Sequence, residues 1–166
     1  MMNIFVDLDG VLVDLDKGYE RETGIPLSEG DKFYNYDHSK FWEEPKKNPT
    51  FWRDLPKMQD ADLLINYIKN LKNDTFILSA SVRDYVDCST QKREWVDLHT
   101  PFSMEYVHIV RRSEKRLFAT SKSIANILID DYEKNIEEWN YHGGIGILHT
   151  SSINTINTLQ EILRGK

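Results

Sequence analysis

Asp7, Asp9 and Gly10 follow directly on the apolar run Ile4-Phe5-Val6, and they are the residues whose types and spacing most clearly promise chemistry. A short hydrophobic strand that ends in two carboxylates two positions apart, then a glycine that lets the backbone turn sharply, suits the binding of a divalent cation and a phosphate at a strand's C-terminal edge. Two further apolar runs end in oxygen-bearing residues: Ile127-Leu128-Ile129 runs into Asp130-Asp131, and Phe76-Ile77-Leu78 into Ser79. Adjacent acids are electrostatically costly unless a cation neutralises them, which implies a metal. A calcium-binding helix-loop-helix does not account for the first pair. Counted from Asp7, Gly10 falls fourth and Gly18 twelfth, where that loop needs a glycine sixth and a glutamate twelfth.

Order and spacing of these segments resemble the haloacid dehalogenase-like superfamily of aspartate-nucleophile phosphotransferases. Asp7-Leu8-Asp9-Gly10-Val11 stands as its first motif, Ser79 as the second, a lysine as the third and Asp130-Asp131 as the fourth. More narrowly, Phe51-Trp52-Arg53-Asp54-Leu55-Pro56, Ser79-Ala80-Ser81, Lys92-Arg93-Glu94-Trp95-Val96 and Leu128-Ile129-Asp130-Asp131 look like the 5′(3′)-deoxyribonucleotidase branch. The resemblance implies Asp7 as the nucleophile that forms an aspartyl-phosphate, and Asp9 as general acid and then general base. It also implies Mg²⁺ held by Asp7, Asp130 and the backbone carbonyl of Asp9, with Asp131 behind the ion or reaching it through water. Ser79 and the backbone N–H groups of Ala80 and Ser81 become phosphate ligands. For the phosphate lysine, Lys92, thirteen residues after Ser79, is favoured over Lys115, which lies closer to Asp130.

An acid at position 9 supplies the proton a leaving alkoxide needs, which favours a phosphatase over a dehalogenase. Retention of both Asp7 and Asp9 disfavours a non-catalytic binding module of the same fold. The expected substrate is a small phosphorylated molecule, foremost a nucleoside monophosphate with a deoxyribose preference. Sugar phosphates and nucleic-acid ends are the alternatives. The net charge of −6 argues against long nucleic acids, whose binding is mostly charge neutralisation by lysine and arginine.

These residues need a scaffold that brings three strand ends together. From about residue 60 the pattern alternates between helix and strand: a helix bearing Ala61, Leu64, Ile65, Ile68 and Leu71 behind an Asp60 cap, then the strand Thr75 to Leu78. A helix over about 84–98, a strand at 107–110, a helix capped by Ser113 and the strand 127–129 follow. The last two elements are a strand at 144–148 and a helix presenting Ile153, Ile156, Leu159 and Leu163 on one face. Such alternation predicts an α/β fold, a Rossmann-like parallel sheet with helices on both faces, whose ligands bind beyond the strands' carboxyl ends. At 166 residues and 40% hydrophobic, one domain with a real core is expected.

Residues 17–56 break the alternation and hold eight of the nineteen aromatics. They are expected to form a small, mainly helical cap inserted after the first strand, the core comprising 1–16 and 57–166. Tyr19, Phe33 and Trp52 are its candidate substrate contacts, by stacking on a base. The single cysteine, Cys88, excludes an intrachain disulfide. No apolar stretch approaches the ~20 residues that span a bilayer, and Met1 to Val6 reaches Asp7 too soon for a signal peptide, so the expectation is a cytoplasmic protein with no membrane partner.

Overall fold

The computed structural model describes residues 1–33, 38–83 and 85–165, the side chains of 31–33, 38 and 39 excepted. Five parallel strands form its central sheet: β1 (Ile4–Val6), β2 (Thr75–Ala80), β3 (Val107–Val110), β6 (Ile127–Asp130) and β7 (Ile145–Leu148), in the order β3-β2-β1-β6-β7. A two-stranded antiparallel hairpin, β4 (Thr120–Ser121) with β5 (Ile124–Ala125), lies between β3 and β6 in sequence. It turns through Lys122 and Ser123, both at positive φ, and no periodic pattern in the sequence announces it.

The sheet carries helices on both faces, and the alternation of side chains along β1 shows why. Ile4 and Val6 enter one cluster with Leu64 and Ile68 of α4 (Ala61–Ile68), Trp95 of α5 (Cys88–His99) and Leu159 of α7 (Ser152–Arg164). Phe5 enters the opposite one with Leu78, Leu128, and Ile136 and Trp139 of α6 (Glu133–Tyr141). Burial on both faces is what makes these strands read as continuous apolar runs. Register then sets the site. Val6 lies beside both Ile77 and Ile129, so the next positions are Asp7, Leu78 and Asp130, with Ser79 one step beyond.

Three local expectations change. Asp60 stands at the N-cap of α4, but its carboxylate accepts the backbone N–H of Ser152 at 2.6 Å, which joins the starts of α4 and α7. On α7 the buried face comprises Ser152, Thr155, Ile156 and Leu159, and Ile153 is exposed. After β3 comes a 3₁₀ helix, Arg112–Phe118, capped at Arg111 rather than Ser113: the Glu114 carboxylate accepts the Arg111 N–H at 2.9 Å.

Within 17–56 the chain is mainly helical: α1 (Leu15–Thr23), α2 (Leu27–Phe33), α3 (His38–Phe41) and a 3₁₀ turn at Pro45–Lys47. Its described aromatics do not form a core of their own. Tyr19, Phe41, Trp42, Phe51 and Trp52 belong to the same buried cluster as Val6 and Ile77. Side chains of the surrounding core also hold its backbone. Trp95 Nε1 donates to Leu55 O at 2.8 Å, Gln91 spans Trp52 N and Pro49 O, and Tyr85 OH donates to Pro45 O at 2.7 Å.

Candidate active site

The turn after β1 is built around one carbonyl. Leu8 O accepts the N–H groups of Val11, Leu12 and Val13, and Gly10 N returns to Val13 O at 2.9 Å. Gly10 sits at φ 75°, and a Cβ there would come within 2.0 Å of the Asp131 carboxylate. Glycine is therefore required twice, for the backbone conformation and for the approach of Asp131 to Asp7.

Asp7 is buried, its Oδ1 accepting the Leu8 N–H at 2.8 Å and its Oδ2 paired with Lys115 Nζ at 2.9 Å. Lys115, itself buried, bridges to Asp130 Oδ2 at 2.7 Å. Burial opposes the charge on this lysine, but Asp7 and Asp130 outweigh it and hold its pKa above the ordinary value. Asp130 also accepts the Tyr132 N–H at 2.9 Å and both bonds from Asn135 Nδ2, at 3.1 and 3.0 Å. Burial, then the charge of Asp7, pushes Asp130 up to about 6.

Asp9 has a different cation. Its Oδ2 pairs with Lys92, whose ammonium also donates to Ala80 O at 2.7 Å and Ser79 Oγ at 3.3 Å and lies 4.7 Å from the centre of the Trp52 ring. Asp9 Oδ1 has no hydrogen-bond partner among the described residues. Burial raises the pKa of Asp9, and the Asp7 charge adds to this, against the pull of Lys92. Lys92 stays protonated for the reason Lys115 does: burial disfavours its charge and Asp9 more than restores it.

Asp131 lies at the exposed rim. Partial loss of water around its carboxylate, then the charges of Asp7 and Asp130, push it up to about 7. Ligand oxygens of Asp7, Asp130 and Asp131 all fall within 4.8 Å of one another, a hard all-carboxylate set suited to Mg²⁺ or Ca²⁺. Asp131 stands in this side-chain cluster with Asp7 and Asp130, while the Asp9 side chain, whose expected part in metal binding is its backbone carbonyl, turns to Lys92. The group opens into a cleft of about 450 Å³ walled by Asp14, Leu15, Asp16, Leu27 and Met58.

The structure thus brings Asp7, Asp9, Ser79, Ala80, Lys92, Asp130 and Asp131 to one edge of the sheet, and adds Lys115 as an equal of Lys92. Other expectations fare differently. Ser81 N–H is engaged by Val110 O of β3 at 2.8 Å, and the Ala80 carbonyl accepts from Lys92. Tyr19 is fully buried, stacked on Phe41 with ring centres 4.5 Å apart, and its hydroxyl donates to Phe41 O, so it packs the interior and does not line the cleft. Trp52 is also buried, and it meets the site through Lys92 rather than as an open stacking surface. The side chain of Phe33 lies outside the described residues. Leu15, Leu27 and Met58 carry no chemical signature by which sequence could select them.

A family model described as 5′ nucleotidase, deoxy (pyrimidine), cytosolic type C protein matches residues 1–164. The chain belongs to this family. It is accordingly an enzyme, a phosphatase of the haloacid dehalogenase-like fold. Among solved structures, a hydrolase from Streptococcus pneumoniae is similar over 95% of this chain and 97% of its own, with 16% identity and a TM-score of 0.57. A haloacid dehalogenase family hydrolase from Deinococcus radiodurans, with bound phosphate and sodium, covers 89% and 81% at 13% identity and a TM-score of 0.57. One from Bacteroides thetaiotaomicron, in complex with magnesium and inorganic phosphate, covers 91% and 95% at 16% identity and a TM-score of 0.52. No curated protein sequence is significantly similar to the chain. Among the described residues no helix is long and apolar enough to cross a membrane.

Proposed function

We propose that the protein hydrolyses nucleoside monophosphates through an aspartyl-phosphate on Asp7, with deoxyribonucleotides preferred. The observation that carries the mechanism is the division of the two acids between two lysines. Asp7, its Oδ2 paired with Lys115, is the acid placed to attack phosphorus in this reading. Asp9, with one unpartnered oxygen and a raised pKa, is fit to hold a proton and release it.

In the first step a carboxylate oxygen of Asp7 bonds to phosphorus as the ester P–O bond breaks, and the leaving alkoxide takes the Asp9 proton. In the second, Asp9 takes a proton from water as the water oxygen bonds to phosphorus, which releases inorganic phosphate and restores Asp7. Lys92 and Ser79, hydrogen-bonded to each other at 3.3 Å beside Asp9, would supply positive charge and a donor to the transferring phosphoryl oxygens. Asp7, Asp130 and Asp131 would hold Mg²⁺, with the Asp9 backbone carbonyl as a further candidate ligand. Bound there, the ion supplies the charge that lets a phosphate dianion approach three carboxylates.

The substrate assignment rests on the family and on the cleft. Its apolar walls are Leu15, Leu27 and Met58. A 2′-hydroxyl held against those walls has no partner there, at a cost of about 1–3 kcal/mol. That corresponds to roughly 5- to 150-fold in kcat/KM. We keep 1–16 and 57–166 as the core and 17–56 as the cap, since the cap contributes Leu27 to the cleft wall. A panel of deoxyribonucleotides, matching ribonucleotides and hexose phosphates, assayed with Mg²⁺, tests the reading. Deoxyribonucleotides are expected to give the highest kcat/KM, and equal or better use of ribonucleotides or hexose phosphates would overturn the substrate assignment but leave the phosphatase chemistry standing.

A further inference from the structure

Asp130 is held from behind by a chain of side chains with no part in the chemistry above. Asn135 Nδ2 spans both Asp130 oxygens, while Asn135 Oδ1 accepts from Arg112 Nη1 at 3.1 Å. The Arg112 guanidinium is in turn forked onto Glu138, Nη1 to Oε2 at 3.0 Å and Nη2 to Oε1 at 3.1 Å. Arg112 and Lys115 share one 3₁₀ helix, and Asn135 and Glu138 lie on one face of α6, so the chain joins the two elements that flank Asp130.

The chemistry of the donors gives this arrangement a direction. Guanidinium can only donate and an ionised carboxylate can only accept, so an amide between them satisfies both in a single orientation, oxygen toward Arg112 and nitrogen toward Asp130. Turned over, the amide would set its oxygen against the Asp130 carboxylate and its N–H groups against the guanidinium. The bidentate pair with Glu138 fixes the guanidinium in place and direction. Asn135 is buried, so an amide free to rotate could not exchange its lost partners for bulk water.

We propose that Arg112 and Glu138 are positioning residues that lock the Asn135 amide and thereby aim the Asp130 carboxylate at the metal. This rests on the reading of Asp130 as a metal ligand. Partners of this kind behind a ligating group commonly change metal affinity by about 10- to 100-fold when removed.

The test is Mg²⁺ binding to the purified metal-free protein by titration calorimetry, with circular dichroism to verify folding. Arg112→Ala should weaken Mg²⁺ binding about 10-fold, and Glu138→Gln should weaken it by a smaller factor. If Arg112 acts through the amide, Asn135→Ala combined with Arg112→Ala should bind Mg²⁺ no more weakly than Asn135→Ala alone. A merely structural arginine predicts multiplied effects instead. Wild-type affinity in both Arg112→Ala and Glu138→Gln, or multiplied losses in the double variant, would overturn the proposal. Asp130→Asn separates the two levels of argument: if it leaves Mg²⁺ affinity unchanged, the metal reading fails and the positioning role fails with it. A large loss there beside wild-type binding in both Arg112→Ala and Glu138→Gln sinks the positioning role alone.

Discussion

The two buried lysines of the site flank β1 from opposite sides, and they do different work. Lys115 arrives on the 3₁₀ helix that packs against β2 and α6, and meets two carboxylates, Asp7 and Asp130. Lys92 arrives on α5, which packs against β3, and meets one carboxylate, a serine hydroxyl, a carbonyl and the face of Trp52. The difference teaches how acids two positions apart come to sit in different electrostatic surroundings, on which the proposed division of roles rests. In the proposed mechanism the acid beside Lys115, Asp7, is the one that attacks phosphorus. The other, Asp9, is buried enough for its pKa to rise despite its own lysine, so it can carry a proton.

The largest expected effect breaks the comparison at its centre. Asp7→Asn keeps the shape of the side chain but removes the nucleophile, and turnover should fall by about 10⁴-fold or more while the fold persists, checked by steady-state assay and circular dichroism. Near-normal turnover by the folded variant would end the aspartyl-phosphate mechanism. Asp9→Asn comes next, with a loss on the order of 10²–10⁴-fold, and acid quench should trap less phosphorylated enzyme if the first step is the one impaired.

The lysines themselves sharpen the contrast. Lys115→Ala leaves Asp7 and Asp130 buried together without their shared cation, and kcat should drop by about 10²–10³-fold. Lys92→Ala should cost less, roughly 10- to 100-fold, since its single carboxylate can take up a proton instead. A second signature separates them. Lys92 is the largest influence holding Asp9 down, so its loss should move the Asp9 limb of the pH–rate profile upward, whereas Lys115→Ala should move it less. If Lys92→Ala proves the more damaging, or leaves that limb in place, the division of labour between the two lysines is wrong.

The fold was legible because its strands are buried on both faces and its helices carry apolar residues at helical spacing. Ile4 to Val6 and Ile127 to Ile129 each announce a strand and the acids that follow. What stayed hidden depends on distance in the chain. Spacing from Ser79 favoured Lys92, but Lys115 reaches Asp7 across more than a hundred residues, through a 3₁₀ helix too short to show a period. Asp60 has the type and place of a helix cap, yet Ser152, far along the chain, takes its carboxylate. Density of aromatics in 17–56 pointed to a stacking surface, and the five whose side chains are described pack into the shared core, because large rings contribute most to stability when fully buried. The cleft wall of Leu15, Leu27 and Met58 comes from three separate segments, which only the fold brings together.

The smallest effect concerns Asp131, which forms no ion pair among the described residues and so is the acid that neither lysine serves. In the metal-free protein its pKa rises from 3.8 to about 7, and that of Asp130 from 3.8 to about 6. A raised carboxyl pKa means that the folded state binds the proton more tightly than the unfolded chain. Its contribution to stability is therefore complete below about pH 4 and is lost as the pH climbs through about 6 and then 7. Other groups titrate in the same range, so the signature is a difference between proteins: the fall in Tm of metal-free protein from pH 5 to 8 should be shallower in Asp131→Asn than in the parent. Added Mg²⁺ should oppose the fall in the parent most strongly at the upper end, where both acids are ionised and able to bind it, because a ligand that prefers the folded state stabilises by mass action. Melting curves across this range, with and without Mg²⁺, check both parts, and identical slopes in parent and variant would show that Asp131 is not the strained member of the cluster.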